Sequence, residues 1–274
     1  MTGHPDPADQ LTFTLARQAR PGDVAVVGVA TPIAAAAALL ARELLGDMTV
    51  IVAASVDPPP HDISRPMLRA DAVARIATGT FTQAQVLDAI QRGRITLQYV
   101  SPAQVDGRGR MNTSRVPGRD GALRRLPGGL ATGDIAVLVG RLIAYRAGHT
   151  PRFLAGEVAF TTGAGHEHGS RWRAAHHLPG RGLQTIVTDR AVMTWDEGND
   201  GFRLASLHGG TDIDEVVAGC GFPLLVPDHV PVTEPPDDRA MRILDEVIDP
   251  HRMRRLETPD GRAEAAATLE GLRS

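Results

Sequence analysis

Gly128 and Gly129 stand in the stretch LPGGLATGDIA, and the apolar run after them can open a helix. Glycine permits positive φ and close backbone approach, so N–H groups left free in such a loop suit a phosphate, a carboxylate or a thioester oxyanion. The plainer role for the pair is a tight turn. His208, in ASLHGGT, carries an imidazole that titrates near neutrality and is a candidate acid–base residue or substrate contact. A loop histidine beside two glycines can equally serve only to donate to a backbone carbonyl. His166, His168, His176 and His177 fall within one short span with Glu167 among them. An H-x-H pair on an extended strand sets both imidazoles on one face, a usable metal geometry, although loop histidines more often meet solvent or phosphate. Arg171 and Arg173 beside them offer donors for phosphate. Asp106 and Asn112, in QVDGRGRMN, have the chemistry to fix a turn through side-chain-to-backbone bonds. Cys220 is the chain's one cysteine and reads as a small buried residue rather than a nucleophile. It leaves no intramolecular disulfide and no thiolate zinc cluster.

The 29 basic residues are all arginine. Without lysine, Schiff-base chemistry, anchoring of pyridoxal phosphate and a Walker A phosphate loop are excluded. A net charge of -3 and an aromatic content of 4% give no reason to expect nucleic acid or an anionic membrane as partner. The longest apolar run, Val24 to Leu40, contains Gly28, Thr31 and Pro32 and reads as a buried strand turning into a buried helix. The opening MTGHPDPADQ has no basic and apolar leader pattern, so a cytoplasmic protein is expected.

The elements that must hold these residues alternate. Leu11–Ala19 has helical spacing, Asp23–Val29 is a β-rich run, and Thr31 before Pro32 suits an N-cap followed by proline at the first helical position, with an alanine-rich helix to about Leu45. Met48–Ala53 is a second apolar strand, which completes a parallel βαβ unit. After a proline-rich connection, Asp71–Arg92 reads as helix interrupted near Gly79, and Ile95–Val100 as strand. Arg108–Arg125 and Gly163–Gly182 read as loops, Ile135–Leu142 as an apolar run, and Phe153–Thr161 as a strand. Gln184–Val187, Ala191–Trp195 and Phe202–Leu207 form a last set of strands, followed by a helix over Asp212–Ala218 and an amphipathic stretch over Asp237–Val247. The pattern predicts an α/β fold with a mainly parallel sheet flanked by helices. It divides into a domain over 1–230 and a helical tail over 231–274.

Several of these segments, in order, resemble the β subunits of class I CoA-transferases. QVDGRGRMN is similar to the family's VD-x-x-G-N-x-N turn, and LPGGLATGDIA, with Gly128, Gly129, Ala131 and Asp134, to its GGA-x-D loop. EVAFTTGAG resembles a VDFITxxG strand and turn, IVTDRAV a VITDLGV segment, and ASLHGGT an SLHPGVT segment, with Gly221-Phe222 where the family has TGF. Asp237 to Arg252 has the spacing of a helix ending in IDP. The resemblance runs from about Asp23 to Arg252 and implies an open α/β sandwich that works with an α-type CoA-transferase subunit. It implies a coenzyme A thioester as substrate, no bound cofactor or metal, and substrate or CoA contacts at Gly128, Gly129, Ala131, Asp106 and Asn112.

In those transferases this half supplies a glutamate, at the end of the second strand, that becomes a glutamyl-CoA thioester. Here the segment reads IVAAS and Ala53 stands in that place. Alanine cannot act as a carboxylate nucleophile; the nearest acids are Asp57 and Asp62. One branch of the family lacks the glutamate, opens rings of CoA thioesters by hydrolysis in steroid catabolism, and takes its important glutamate from the other subunit. ASLHGGT, VDGRGRMN and VIDPHRMR resemble that branch more closely, while Gly209-Gly210 and Glu157 depart from it. The expectation is therefore thioester-dependent C–C or ring-opening hydrolysis. The alternatives are a transferase in which another residue replaces the glutamate, a non-catalytic structural partner subunit, and a metal-dependent hydrolase built on the histidines.

Overall fold

The computed structural model describes residues 5–28, 30–58, 62–68, 70–118 and 120–273. Val29, the expected end of the first strand, residues 59–61 of the proline-rich connection and residue 119 of the expected Arg108–Arg125 loop lie outside them. The chain divides into two compact units: Met1–Ala89 with Leu97–Tyr99 and Glu234–Ser274, and Ile90–Thr96 with Val100–Thr233.

The first unit opens with α1 (Pro7–Ala16), β1 (Asp23–Val27), α2 (Pro32–Leu45) and β2 (Met48–Val52). It continues through β3 (Ser55–Val56), α3 (Ser64–Leu68), α4 (Ala70–Ala74), β4 (Gly79–Thr80), α5 (Gln83–Gln91) and β5 (Leu97–Val100). Its strands lie in the order β5-β1-β2-β3-β4. β1 runs parallel to both β2 and β5, and β3 and β4 turn back antiparallel. The expected βαβ unit is therefore present. The interruption expected at Gly79 is itself a short strand.

α2 owes its place to its alanines. Every residue from Pro32 to Ala41 is buried, which only small side chains allow when a helix packs closely on its neighbours. Alanine also has the best intrinsic helix propensity. Pro32 starts the helix and Gly46, at φ 73, stops it. Thr31 occupies the N-cap position but does not cap: its hydroxyl donates to the Gly28 carbonyl at 3.0 Å. The Ile33 N–H is satisfied instead by the Glu257 carboxylate at 2.8 Å.

That carboxylate comes from the C-terminal segment, which runs through a helix (Asp238–Ile243), a π turn (Leu244–Ile248), a 3₁₀ turn (Met253–Glu257) and a last helix (Arg262–Gly271). The sequence pattern drew a boundary at 230/231, whereas this segment shares a unit with residues 1–89. The reason lies in VIDPHRMR. Asp249 accepts the N–H groups of Met253 (2.6 Å) and Arg254 (2.9 Å), which holds the turn in which Arg252 adopts φ 53. The Arg254 side chain is 0% exposed and donates to Asp9, Asp245 and Asp249. A tail would leave that guanidinium in water.

The second unit holds β6 (Gln104–Asp106), β7 (Met111–Asn112), β8 (Arg115–Pro117), β9 (Leu123–Arg125), α6 (Thr132–Leu138) and β10 (Arg141–Arg146). Then come β11 (Leu154–Ala155), α7 (Gly169–Ala175), β12 (Leu183–Thr188), β13 (Ala191–Asp196), β14 (Gly201–Leu207) and α8 (Ile213–Ala218). Its larger strands lie in the order β14-β13-β12-β10, with β10 and β12 parallel and the others antiparallel. β11-β6-β7 and the hairpin β8-β9 are separate small sheets. Four expectations change here. Ile135–Leu142 splits into the end of α6 and the start of β10; the Phe153–Thr161 strand shrinks to β11. The Gly163–Gly182 loop contains α7, and the Arg108–Arg125 loop contains β7 and a hairpin. The fold class is α/β, as the alternation predicted. No helix among the described residues is long and apolar enough to cross a membrane.

Candidate functional site

The glycine loop lies between β9 and α6. Gly128 adopts φ 108, a conformation that strains any residue with a Cβ. At Gly129 an added Cβ would come within 2.6 Å of Thr162 Cγ2. Thr162 is fixed in turn: its hydroxyl accepts the Thr113 N–H at 3.1 Å and bonds the Ser114 hydroxyl at 2.8 Å. Leu130 follows at φ 42 with its side chain fully exposed. Gly128 N–H donates to the Thr113 carbonyl at 3.2 Å, and Thr132 N–H to the Gly129 carbonyl at 2.6 Å. Among the described residues the N–H groups of Gly129, Leu130 and Ala131 meet no acceptor. Three successive free donors on a loop held by strained backbone can bind an anionic oxygen. α6 is only seven residues long, so the loop amides rather than a helix dipole carry this capacity.

Asp106 and Asn112 sit at the two ends of the β6–β7 turn, and both are buried. Asp106 accepts the N–H groups of Arg108 and Arg110 and the Arg110 guanidinium at 2.7 Å. Asn112 donates to Gln104 Oε1 (2.7 Å) and the Arg115 carbonyl (2.6 Å), and accepts from Ser114 and Arg115 N–H. These bonds are the turn-fixing role expected of both residues. Gly109 and Gly165 are needed there because an added Cβ would meet His166 Cδ2 at 2.9 Å and the Arg108 carbonyl at 2.2 Å, respectively.

His208 follows β14 and is 4% exposed. Its Nε2–H donates to the Thr188 carbonyl at 2.9 Å, which leaves Nδ1 as the bare lone pair. That atom is buried and has no partner among the described residues. Burial lowers the His208 pKa, so the ring is neutral near pH 7. The ring is thus buried and held by a backbone carbonyl, with one lone pair left over. Sequence reasoning missed its neighbour His149, an isolated histidine with no motif around it. Its ring bonds Thr188 Oγ1 (2.9 Å) and the Val216 carbonyl (2.8 Å). Cys220 Sγ lies 3.6 Å from the same ring, and burial pushes its thiol up to about 11. That makes it a poor nucleophile, as expected.

The histidine cluster disperses. His166 is buried, donates to the Leu183 carbonyl at 2.9 Å and stacks on Trp195 with ring centroids 3.8 Å apart. His168 and His176 lie against Trp172 on either side along α7. His166 and His168 therefore face different partners, and the shared strand face that a metal pair would need does not form. Arg173 is buried too, and its guanidinium donates to the carbonyls of Ala136, Gly165 and Gly180.

In the first unit, Ala53 and Ala54 form the turn between β2 and β3, at φ 48 and φ 68. Two left-handed residues are usual for a two-residue hairpin turn, but Asn-Gly is the usual sequence. Alanine pays about 1 kcal/mol or more for each. The two nearest acids hold local backbone in place. Asp57 Oδ1 accepts the Val50 N–H at 2.7 Å, and Asp62 accepts both the N–H (2.9 Å) and the hydroxyl (2.7 Å) of Ser64.

No family model matches the chain. It is 28% identical over 248 residues to the β-type subunit of the 3-oxoadipate CoA-transferase of Pseudomonas knackmussii, across 86% of this chain and 90% of that protein. The chain is a homologue of CoA-transferase β subunits. It is also 26% identical over 176 residues to the cholesterol ring-cleaving hydrolase IpdB subunit of Rhodococcus jostii, across 62% of this chain and 66% of that one. Among solved structures, the decarboxylase AibA/AibB superposes with a TM-score of 0.77 at 25% identity, covering 92% of this chain and 98% of that chain.

Proposed function

We propose that this CoA-transferase β-subunit homologue joins an α-type subunit in an enzyme that breaks a C–C bond of an acyl-CoA thioester by hydrolysis. The observation that carries the reading is the Ala53-Ala54 turn at the end of β2. The resemblance places the transferase glutamate at Ala53, and the nearest acids, Asp57 and Asp62, hold the backbone N–H groups of Val50 and Ser64. A glutamyl-CoA intermediate then has no carboxylate on this chain at that turn. Two similar proteins, a ring-cleaving hydrolase and a decarboxylase, both break C–C bonds.

In a β-keto acyl-CoA, water adds to the ketone carbonyl and the bond to the α-carbon breaks. The electron pair passes to the α-carbon as an enolate of the thioester, a proton quenches it, and the former ketone leaves as a carboxylate. The free N–H groups of Gly129, Leu130 and Ala131 suit the enolate oxygen, a site where one donor is worth about 3–4 kcal/mol of barrier. The acid–base group comes from the α partner. The assembled enzyme, incubated with acyl-CoA and then hydroxylamine or borohydride, tests the reading. No protein-bound thioester should be trapped while acyl-CoA is consumed; a trapped glutamyl thioester on this chain overturns it.

A further inference from the structure

The second unit contains a cavity of about 550 Å³ beside the β8–β9 hairpin, within the size range of small-molecule sites. Arg124, Arg146 and Arg152 line it, and among the described residues no aspartate or glutamate does. Arg146 is fixed by donation to the Pro102 carbonyl at 3.1 Å and by stacking over Phe153 at 5.8 Å. Arg124 is held only by Asp120, an exposed pair of the weak kind. Arg152, whose side chain is exposed, has no hydrogen bond or ion pair among the described residues.

Gln104, also on the cavity wall, points the same way. Its Oε1 accepts from Asn112 Nδ2 at 2.7 Å and from the Ala159 N–H at 3.0 Å. These two donors fix the orientation of the amide and leave its NH₂ without an acceptor among the described residues. The wall thus presents, beside Phe153 and Leu126, the Gln104 amide donor and the Arg152 guanidinium, neither with an acceptor among the described residues. A cavity of donors needs an acceptor, and guanidinium groups match the paired oxygens of a carboxylate or phosphate.

We infer that this cavity binds an oxyanion group of the substrate, a carboxylate on the acyl chain or a phosphate of the CoA. The inference gives the substrate proposed above an anionic handle, and it stands or falls on the cavity alone. Calorimetric titration of the full chain with glutarate and with inorganic pyrophosphate tests it. The wild-type chain should bind at least one of the two. Arg152→Gln should weaken that binding about tenfold or more, the worth of a charge-assisted hydrogen bond. Arg152→Lys should lose less, because it keeps the charge. Arg75→Gln, which removes an equal charge paired with Asp71 in the first unit, should leave binding unchanged. Binding of glutarate alone names an acyl carboxylate, and binding of pyrophosphate alone names the CoA phosphates. If neither binds, or if Arg152→Gln and Arg75→Gln behave alike, the inference is overturned. Failure of the C–C hydrolysis reading would show separately, as absent acyl-CoA turnover by an assembled enzyme in which this chain still binds the anion.

Discussion

Replacing Arg254 by leucine should destabilise the chain by about 3–5 kcal/mol, the usual cost of removing one partner from a buried ion pair. The figure follows from what is left behind. Arg254 and Asp249 both have side chains 0% exposed, so the Asp249 carboxylate would lose its 3.0 Å guanidinium partner with no water to replace it. Asp9, 2.6 Å from Arg254 Nε and 14% exposed, would lose its partner as well. Burial already raises the pKa of Asp249 and Asp9 in the native protein. Without the cation both carboxyls rise further and take up protons more readily folded than unfolded, so the deficit of Arg254→Leu should narrow as pH falls from about 8 to about 5. Urea unfolding followed by circular dichroism at several pH values measures this. Asp249→Asn on top of Arg254→Leu should recover part of the loss, because the amide can still accept the Met253 N–H without carrying a charge. A loss below about 1 kcal/mol, the range of a surface pair, would refute the reasoning. So would a loss that does not change with pH.

Three further outcomes are expected. Ala54→Gly should stabilise the chain by about 0.5–1 kcal/mol, because glycine relieves the left-handed turn residue at the cost of unfolded-state entropy; a matched pair of urea midpoints decides it. Burial depresses the pKa values of His149, His166 and His208 below the ordinary histidine value of 6.5. Their neutral-state stabilisation is complete above that value and is lost as pH falls below it, since the unfolded chain then binds protons that the folded chain refuses, so the urea midpoint should drop between about pH 7 and about pH 5.5. Cys220, with its thiol near 11, should react with a thiol reagent at about pH 8 at least tenfold more slowly in the folded chain than in urea.

The fold was legible wherever pattern and punctuation agreed. Pro32 and Gly46 bracket α2, and β1 and β2 are apolar runs of ordinary strand length. Ile135–Leu142 was not legible, because an unbroken apolar run has no period to separate the end of a buried helix from the start of a buried strand. β7 and β11, two residues each, exist through pairing with β6 rather than through local propensity. The glycine loop was readable as special backbone, and its strain bears that out. The turn-fixing bonds of Asp106 and Asn112 were legible because their partners lie within a few residues, whereas the fates of His166 and Arg173 were not, because a polar residue's sequence neighbourhood does not say whether its donors will be spent on carbonyls from elsewhere in the chain. Gln104 and Arg152 escaped notice for the converse reason: their donors are conspicuous only once the acceptors around them can be counted.

The most direct test of C–C hydrolysis is product analysis of the assembled two-subunit enzyme with a β-keto acyl-CoA in H₂¹⁸O, followed by mass spectrometry. Hydrolysis of the C–C bond predicts one ¹⁸O from water in the newly formed carboxylate, with CoA still esterified to the other fragment. Appearance of CoA on an added carboxylate acceptor, with the carbon skeleton intact, would contradict it.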